Sequence, residues 1–359
     1  MSDEVYRKLA KLLDSLPNGF PATPDGLEIA ILKKIFTPEE ADLCCDLKVT
    51  RETAEQIAQR TGRPLQGLED RLTEMTARGE IWGMRIKGKK VFWLMPWIVG
   101  IWEFQVDRMD REFCEMCEKY KVYFGSQLVQ HGPEIMMTLP VEEHIPSEQQ
   151  AMPFEQVSRI IDQGIDFRVG ECVCKKEQGI MDRHCSKPTE VCMAIVSVPD
   201  TEALRDWGRR ISKEEAREVL RKAEEAALVH LTGNVREGHW FICNCCGCCC
   251  GVLRPMNQFG LKGLVNSRYY AVIDTEECIG CGVCKEDRCQ VNAIVEEEEA
   301  YRVDPEKCIG CGLCLTDCSV DCIQLVRRPE AELLEPYADD EAWNRERAAR
   351  RGLDFDAVK

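Results

Sequence analysis

Residues 278–289 read Cys278-Ile279-Gly280-Cys281-Gly282-Val283-Cys284-Lys285-Glu286-Asp287-Arg288-Cys289, and residues 308–318 read Cys308-Ile309-Gly310-Cys311-Gly312-Leu313-Cys314-Leu315-Thr316-Asp317-Cys318. A cubane [4Fe–4S] cluster needs four thiolates converging on one small cage. Three can come from a tight loop in which every third residue points inward. Gly280, Gly282, Gly310 and Gly312 let such a loop take positive φ and bring amide groups towards the sulfides. Four cysteines can also bind zinc, but the repeated triple spacing favours iron and sulfide.

Working outward, the two runs are halves of an internal repeat. Arg268 to Ile294 and Tyr301 to Ile323 share one plan: an apolar strand, an Asp, Cys-x-x-Cys-x-x-Cys, a further Cys and a short helix. Glu296 to Glu299 form an acidic turn between the halves. The repeat resembles the bacterial dicluster ferredoxins. In that family the fourth cysteine of each run serves the other cluster. The resemblance therefore implies one cluster on Cys278, Cys281, Cys284 and Cys318, and a second on Cys308, Cys311, Cys314 and Cys289. Two departures stand out. The usual proline after the fourth cysteine is Gln290 in one half and Ser319 in the other, and four residues rather than three separate Cys284 from Cys289. Altered potential or geometry is expected, not cluster loss. Cys322 reads as a small core residue.

The other cysteines of the 23 form short-spaced groups. Cys172, Cys174, Cys185 and Cys192 suffice for one more metal site, read as a third iron–sulfur cluster, with structural zinc or buried thiols as the alternative. Cys243, Cys245, Cys246, Cys248, Cys249 and Cys250 exceed what one cubane needs, because adjacent cysteines cannot all point at one atom. Some ligate an additional cluster or complete the one above, or form a substrate-facing dithiol site. His184 and His230 read as structural residues, with ligation or proton donation as the alternative. Cys114 and Cys117 share one face of a helix over 110–120 and are read as packing, with a redox pair as the alternative. Cys44 and Cys45 read as core.

The rest of the chain places these groups. The fold class is α+β and multidomain. A lead helix and linker occupy 1–24. A winged-helix-like unit follows over 25–100, with a capping box at Thr37-Pro38-Glu39-Glu40, a helix opening at Thr50 and closing at Thr61-Gly62, and Leu65, Leu68, Leu72 and Met75 at helical spacing. Strands 81–86 and 91–94 flank a basic turn at Lys87-Gly88-Lys89-Lys90. A connector over 101–150 starts helical and turns irregular around Pro133, Pro140 and Pro146. A cysteine-rich α/β domain covers 151–265, with an apolar helix face at Val157, Ile160 and Ile161 and strands over 167–169, 194–198 and 239–243. Ser212 with Glu215 opens a helix to about Leu228. A ferredoxin-like unit covers 266–330 and a charged surface helix and tail 331–359.

Charge bounds the partners. A net charge of −16 argues against general nucleic-acid or anionic-membrane binding. A redox-sensing DNA-binding role draws on Arg85, Lys87, Lys89 and Lys90 in the wing, but Glu69, Asp70 and Glu74 on the recognition helix oppose it. The N-terminus has no apolar signal core and no run of about 18 apolar residues marks a membrane span. The chain is expected to be cytoplasmic, where clustered thiols ligate metal instead of forming disulfides. No Gly-rich dinucleotide fingerprint follows a strand, so no tightly bound flavin or nicotinamide is expected.

Across Pro96 to Gln105, Gly170 to Cys192, Leu228-Val229-His230, Cys243 to Cys250 and the repeat, the chain resembles multidomain ferredoxin-family proteins of anaerobic bacteria and archaea, named for their clusters more than for a reaction. The resemblance implies an electron-transfer protein or subunit working with redox protein partners or oxidoreductase subunits. An oxidoreductase reducing a substrate at Cys243–Cys250 is the alternative.

Overall fold

The computed structural model describes residues 2–145 and 152–359. The chain opens with helix α1 (Ser2–Asp14), then α2 (Leu27–Ile35), α3 (Pro38–Cys44), α4 (Ala54–Thr61) and α5 (Leu68–Ala77). A hairpin of β1 (Trp82–Ile86) and β2 (Lys89–Trp93) follows, in the order of elements read from the sequence. Thr37 caps α3 with Glu40 in a reciprocal box, and Pro38 takes the first turn, where its missing N–H costs nothing. The α4 cap is Thr53, paired with Gln56, and not Thr50. Gly62 closes that helix in the left-handed conformation. Leu65 lies outside the helix and is exposed, whereas Leu68, Leu72 and Met75 are buried. The hairpin turn is Lys87-Gly88 alone, both at positive φ, so β2 begins two residues earlier than expected.

The region from 101 to 150 holds a long α6 (Arg111–His131) capped by Asp110, then a strand the sequence did not announce, β3 (Met136–Leu139). Every residue of β3 is buried. Such a strand has no alternation to read, because both faces are covered. There follow α7 (Val157–Gln163), β4 (Asp166–Glu171), α8 (Val173–Ile180), β5 (Glu190–Val196), β6 (Thr201–Ala203), β7 (Arg209–Ile211), α9 (Lys213–Glu225), β8 (Val229–Gly233), β9 (Phe241–Cys245), α10 (Leu253–Phe259) and β10 (Val265–Asn266). The helix opened by Ser212 thus ends at Glu225, and β6, β7, β8 and β10 are further strands not foreseen.

One seven-stranded sheet, in the order β10-β3-β8-β9-β5-β4-β7, organises the centre of the molecule. Its strands are antiparallel except for the β10–β3 pair. The sheet runs through segments assigned from sequence to a connector, a middle domain and the start of the repeat. One face carries α7 and α9 over Phe167, Val169, Met193, Ile195 and Ile242. The other presents Val229, Leu231 and Phe241 to the large core shared with the N-terminal helices. β6 leaves the middle segment to extend the hairpin into a three-stranded sheet, β2-β1-β6.

The repeat folds as β11 (Tyr269–Ile273), β12 (Ile294–Glu297), β13 (Ala300–Val303) and β14 (Ile323–Arg327), in two antiparallel pairs, β11–β14 and β12–β13. The acidic segment is the β12–β13 turn. The final helix α11 (Asp340–Arg350) is not merely a surface element. Arg347 is fully buried and donates to the carbonyls of Gly132, Pro133 and Leu128, while Arg351 reaches Asp14 at the end of α1. None of the described helices is long and apolar enough to cross a membrane.

Candidate metal centres

The repeat encloses two cavities. One is lined by Cys278, Cys281, Cys284 and Cys318, with Cys322, Tyr301 and Ile273. The other is lined by Cys289, Cys308, Cys311 and Cys314, with Ala271, Val291 and Ile294. Each thus takes the three closely spaced thiols of one half and the fourth thiol of the other, and the first has Cys322 besides. Cys322 sits 3.6 Å from the Cys318 sulfur, at the edge of the first cavity and within its core.

The loop backbone explains the glycines. Gly280 and Gly310 have φ of 67° and 60°. A Cβ on Gly310 would lie 2.2 Å from the Tyr269 carbonyl, and one on Gly280 2.5 Å from the Glu299 carbonyl. Backbone N–H groups of Ala271 and Gly310 donate to the Cys308 sulfur at 3.4 and 3.5 Å, and that of Ala293 to the Cys289 sulfur at 3.3 Å. Burial pushes the thiols of Cys284 and Cys311 up to about 11 and 12, and that of Cys308 upward. Thiols gathered in an apolar pocket under amide donors ionise when a cation shares the site. That donor set suits a cubane cluster.

Both departures from the ferredoxin pattern have a structural use. The extra residue between Cys284 and Cys289 makes a π-turn, closed by Cys289 N–H to the Cys284 carbonyl at 3.0 Å. That turn buries Arg288, whose guanidinium donates to the carbonyls of Glu224 and Glu225 at the end of α9 and to Leu313. A cation there suits the negative end of the helix dipole. Gln290, standing where proline is usual, accepts from the Gly247 N–H through Oε1 at 3.0 Å. Asn257 donates to both Gly247 and Gln290 carbonyls. The cysteine-rich turn therefore rests directly on the residue after Cys289. The only sequence signal for this was the departure itself.

The middle cysteines fall into two adjacent sets. Cys172, Cys174, Cys185 and Cys192 pack in one cluster with Cys246 and Cys249, but Cys185 has its sulfur in the second set. Cys172, Cys174, Cys250, Cys245, Cys243 and Cys192 neighbour one another in that order as a ring, each thiol acting electrostatically on the next. Cys172 follows β4 and Cys174 lies in α8, Cys192 lies near the start of β5, and Cys243 and Cys245 share one face of β9, so three adjacent strands bring them together. Cys185 joins Cys246, Cys248 and Cys249, with all four sulfurs within 4.8 Å of one another. Cys172, Cys245, Cys246, Cys249 and Cys250 are buried, and Cys248 is exposed.

Thiol donors concentrate negative charge within each set. Cys192 and Cys245 lower Cys243 to about 6, and Cys174 and Cys245 lower Cys250, which also accepts from the Val252 N–H at 3.4 Å. Cys248 and Cys249 lower Cys246 to about 2. Lys175, almost fully buried, stands by both sets: its charge acts on Cys172, Cys192 and Cys246, and its ammonium is held by the Pro188 carbonyl at 2.6 Å. Lys175 was not picked out from the sequence, since one lysine at the start of a helix carries no signal.

The remaining candidates lie apart from these sets. His230 is buried, with Nδ1 2.5 Å from Asn244 and Nε2 3.0 Å from Glu224. His184 is exposed. Cys114 and Cys117 are buried in α6, and burial pushes both thiols up, Cys114 to about 11. Cys44 is fully buried and Cys45 packs beside it.

Comparison with known families agrees with this chemistry. A model described as a 4Fe-4S binding domain matches residues 301–324, the second half of the repeat. No curated protein matches the chain. The chain is thus an iron–sulfur protein, with a ferredoxin-type binding segment near its C-terminal end.

Proposed function

We infer that the protein is an electron-transfer protein or subunit holding two [4Fe–4S] clusters in the repeat and a further iron–sulfur cofactor at the six-thiol ring. The observation that carries this reading is the pair of cavities, each lined by the three closely spaced cysteines of one half and by the fourth cysteine of the other, with Cys322 also lining the first. Cys278, Cys281, Cys284 and Cys318 would hold one cluster, and Cys308, Cys311, Cys314 and Cys289 the second. The clusters supply one-electron chemistry when bound. The chain's own groups exclude water with Ile273, Val291 and Ile294, donate amide N–H groups to thiolates, and hold the ring against the repeat through Gly247 and Gln290. Such hydrogen bonds to sulfur help set the potential.

Burial favours a relay over substrate reduction at Cys243–Cys250. The ring sulfurs are closed in by one another, and Lys121 and Arg254 are held nearby by Glu177 and Glu118. The winged-helix-like unit is best read as a contact module of a cytoplasmic protein that meets redox partners. Arg85 of the wing is paired with Glu202 and Lys90 with Glu69, which leaves less positive charge for phosphates.

The test is anaerobic purification of the full chain, iron and acid-labile sulfide determination, and EPR of the reduced sample. About eight irons and eight sulfides are expected from the repeat, with more from the ring. A colourless preparation containing zinc in place of iron would refute the reading.

A further inference from the structure

The four-thiol set differs in kind from the ferredoxin sets. In the repeat, each set of four thiols lines an apolar pocket together with aliphatic side chains. At Cys185, Cys246, Cys248 and Cys249 the thiols close on one another instead. Cys185 is 3.8 Å from Cys246 and 3.6 Å from Cys248, and Cys248 is 3.6 Å from Cys249. Four sulfurs at ~2.3 Å from one tetrahedral ion stand ~3.8 Å apart. A cubane inserts an iron corner between each thiolate and the cage centre, which spreads its thiolates well beyond mutual contact.

We propose that Cys185, Cys246, Cys248 and Cys249 hold one tetrahedral thiophilic divalent cation, Zn²⁺ or Fe²⁺, as a site separate from every cluster. Tetrahedral S₄ coordination suits these two ions. Four thiolates on a divalent ion leave two negative charges, and the buried ammonium of Lys175 lies where it offsets part of that charge. The ligands come from two segments, the loop after α8 and the turn after β9. Lys187 ties the first segment to the Ala226 carbonyl, and Gln290 ties the second to the repeat. The ion therefore pins the cysteine-rich turn at the junction between ring and repeat. It also accounts for adjacent Cys248 and Cys249 serving one atom while Cys250 serves the ring.

The test compares the anaerobically purified full chain with Cys248→Ser, chosen because this thiol is exposed and its loss disturbs packing least. Zinc, iron and acid-labile sulfide are counted per chain. The expected result is the loss of one metal ion with sulfide unchanged; whether zinc or iron falls names the ion. Loss of about four irons with about four sulfides would show a cubane and overturn the proposal. Should the variant not fold, X-ray absorption of the unaltered protein decides. A metal edge fitted by four sulfurs at ~2.3 Å and no metal neighbour supports the site, and metal–metal scattering alone at both edges overturns it. This proposal rests on the middle cysteines binding metal and is independent of the cluster count in the repeat, which is read from the sulfide that remains.

Discussion

Gly247 is the point at which the cysteine-rich turn touches the repeat, and Gly247→Ala tests whether that contact matters. A Cβ there would lie 2.2 Å from the Gln290 carbonyl oxygen and 2.7 Å from Asn257 Nδ2. Reaching an ordinary contact of 3.4 Å requires the two loops to part by about 1.2 Å. The Gln290 carbonyl is backbone held by the repeat, so it cannot swing aside as a side-chain tip would. Overpacking of this kind costs ~1–3 kcal/mol, and loss of the Gly247–Gln290 bond adds ~1 kcal/mol. The sum, roughly 2–4 kcal/mol, lowers the apparent melting temperature by roughly 5 °C. Gly251→Ala is the control, because its Cβ meets only Trp102 at 4.0 Å. The assay is anaerobic thermal unfolding followed by circular dichroism, with freeze-quench EPR to time the passage of electrons between the middle cofactor and the repeat. Gly247→Ala should melt lower and pass electrons more slowly than Gly251→Ala. Equal melting and equal transfer in the two variants would refute the claim that this contact joins the centres.

The exchange of fourth cysteines predicts a pattern of non-additivity. Cys289→Ser combined with Cys311→Ser should lose no more iron and sulfide than either change alone, whereas Cys289→Ser with Cys281→Ser should lose both clusters; the reverse pattern would place Cys289 with its own run. Glu80 is fully buried, and burial raises its carboxyl to about 7 from an ordinary 4.5 despite Arg78 and Arg108 and with help from Glu40. The folded chain therefore keeps a proton that the unfolded chain releases, so this stabilisation is complete below about pH 4.5 and is lost as the pH rises through about 7. The loss amounts to at most ~3 kcal/mol, and Glu80→Gln should flatten the pH dependence of urea midpoints over that window. Arg347→Leu leaves the carbonyls of Leu128, Gly132 and Pro133 without their donor. A cost of ~2–3 kcal/mol is expected, seen as faster tryptic release of the 331–359 segment.

Cluster chemistry was legible in the repeat because a tight loop writes its ligands at short, regular spacing. Cys308, Cys311 and Cys314 lie within seven residues end to end, and glycine marks where backbone must pass close to another carbonyl. Helices α3 and α4 were equally legible, since caps and boxes are local. The sheet was less so. β3 is buried on both faces and lacks alternation, and β6 pairs with a hairpin more than a hundred residues earlier in the chain.

By itself, then, the sequence determined that the repeat carries two runs of closely spaced thiols, the second within a 4Fe-4S binding segment, and that helices and a hairpin precede a cysteine-rich middle. Tertiary structure alone decided the partition of the middle thiols, which sends Cys185 to Cys246, Cys248 and Cys249 and gathers six others from the end of β4, α8, β5, β9 and the turn before α10. It also decided what Arg288 and Gln290 are for. The reason is that ligand sets are defined by distance in space, and strand pairing across the β4–β5–β9 sheet sets those distances between residues that chain spacing leaves far apart.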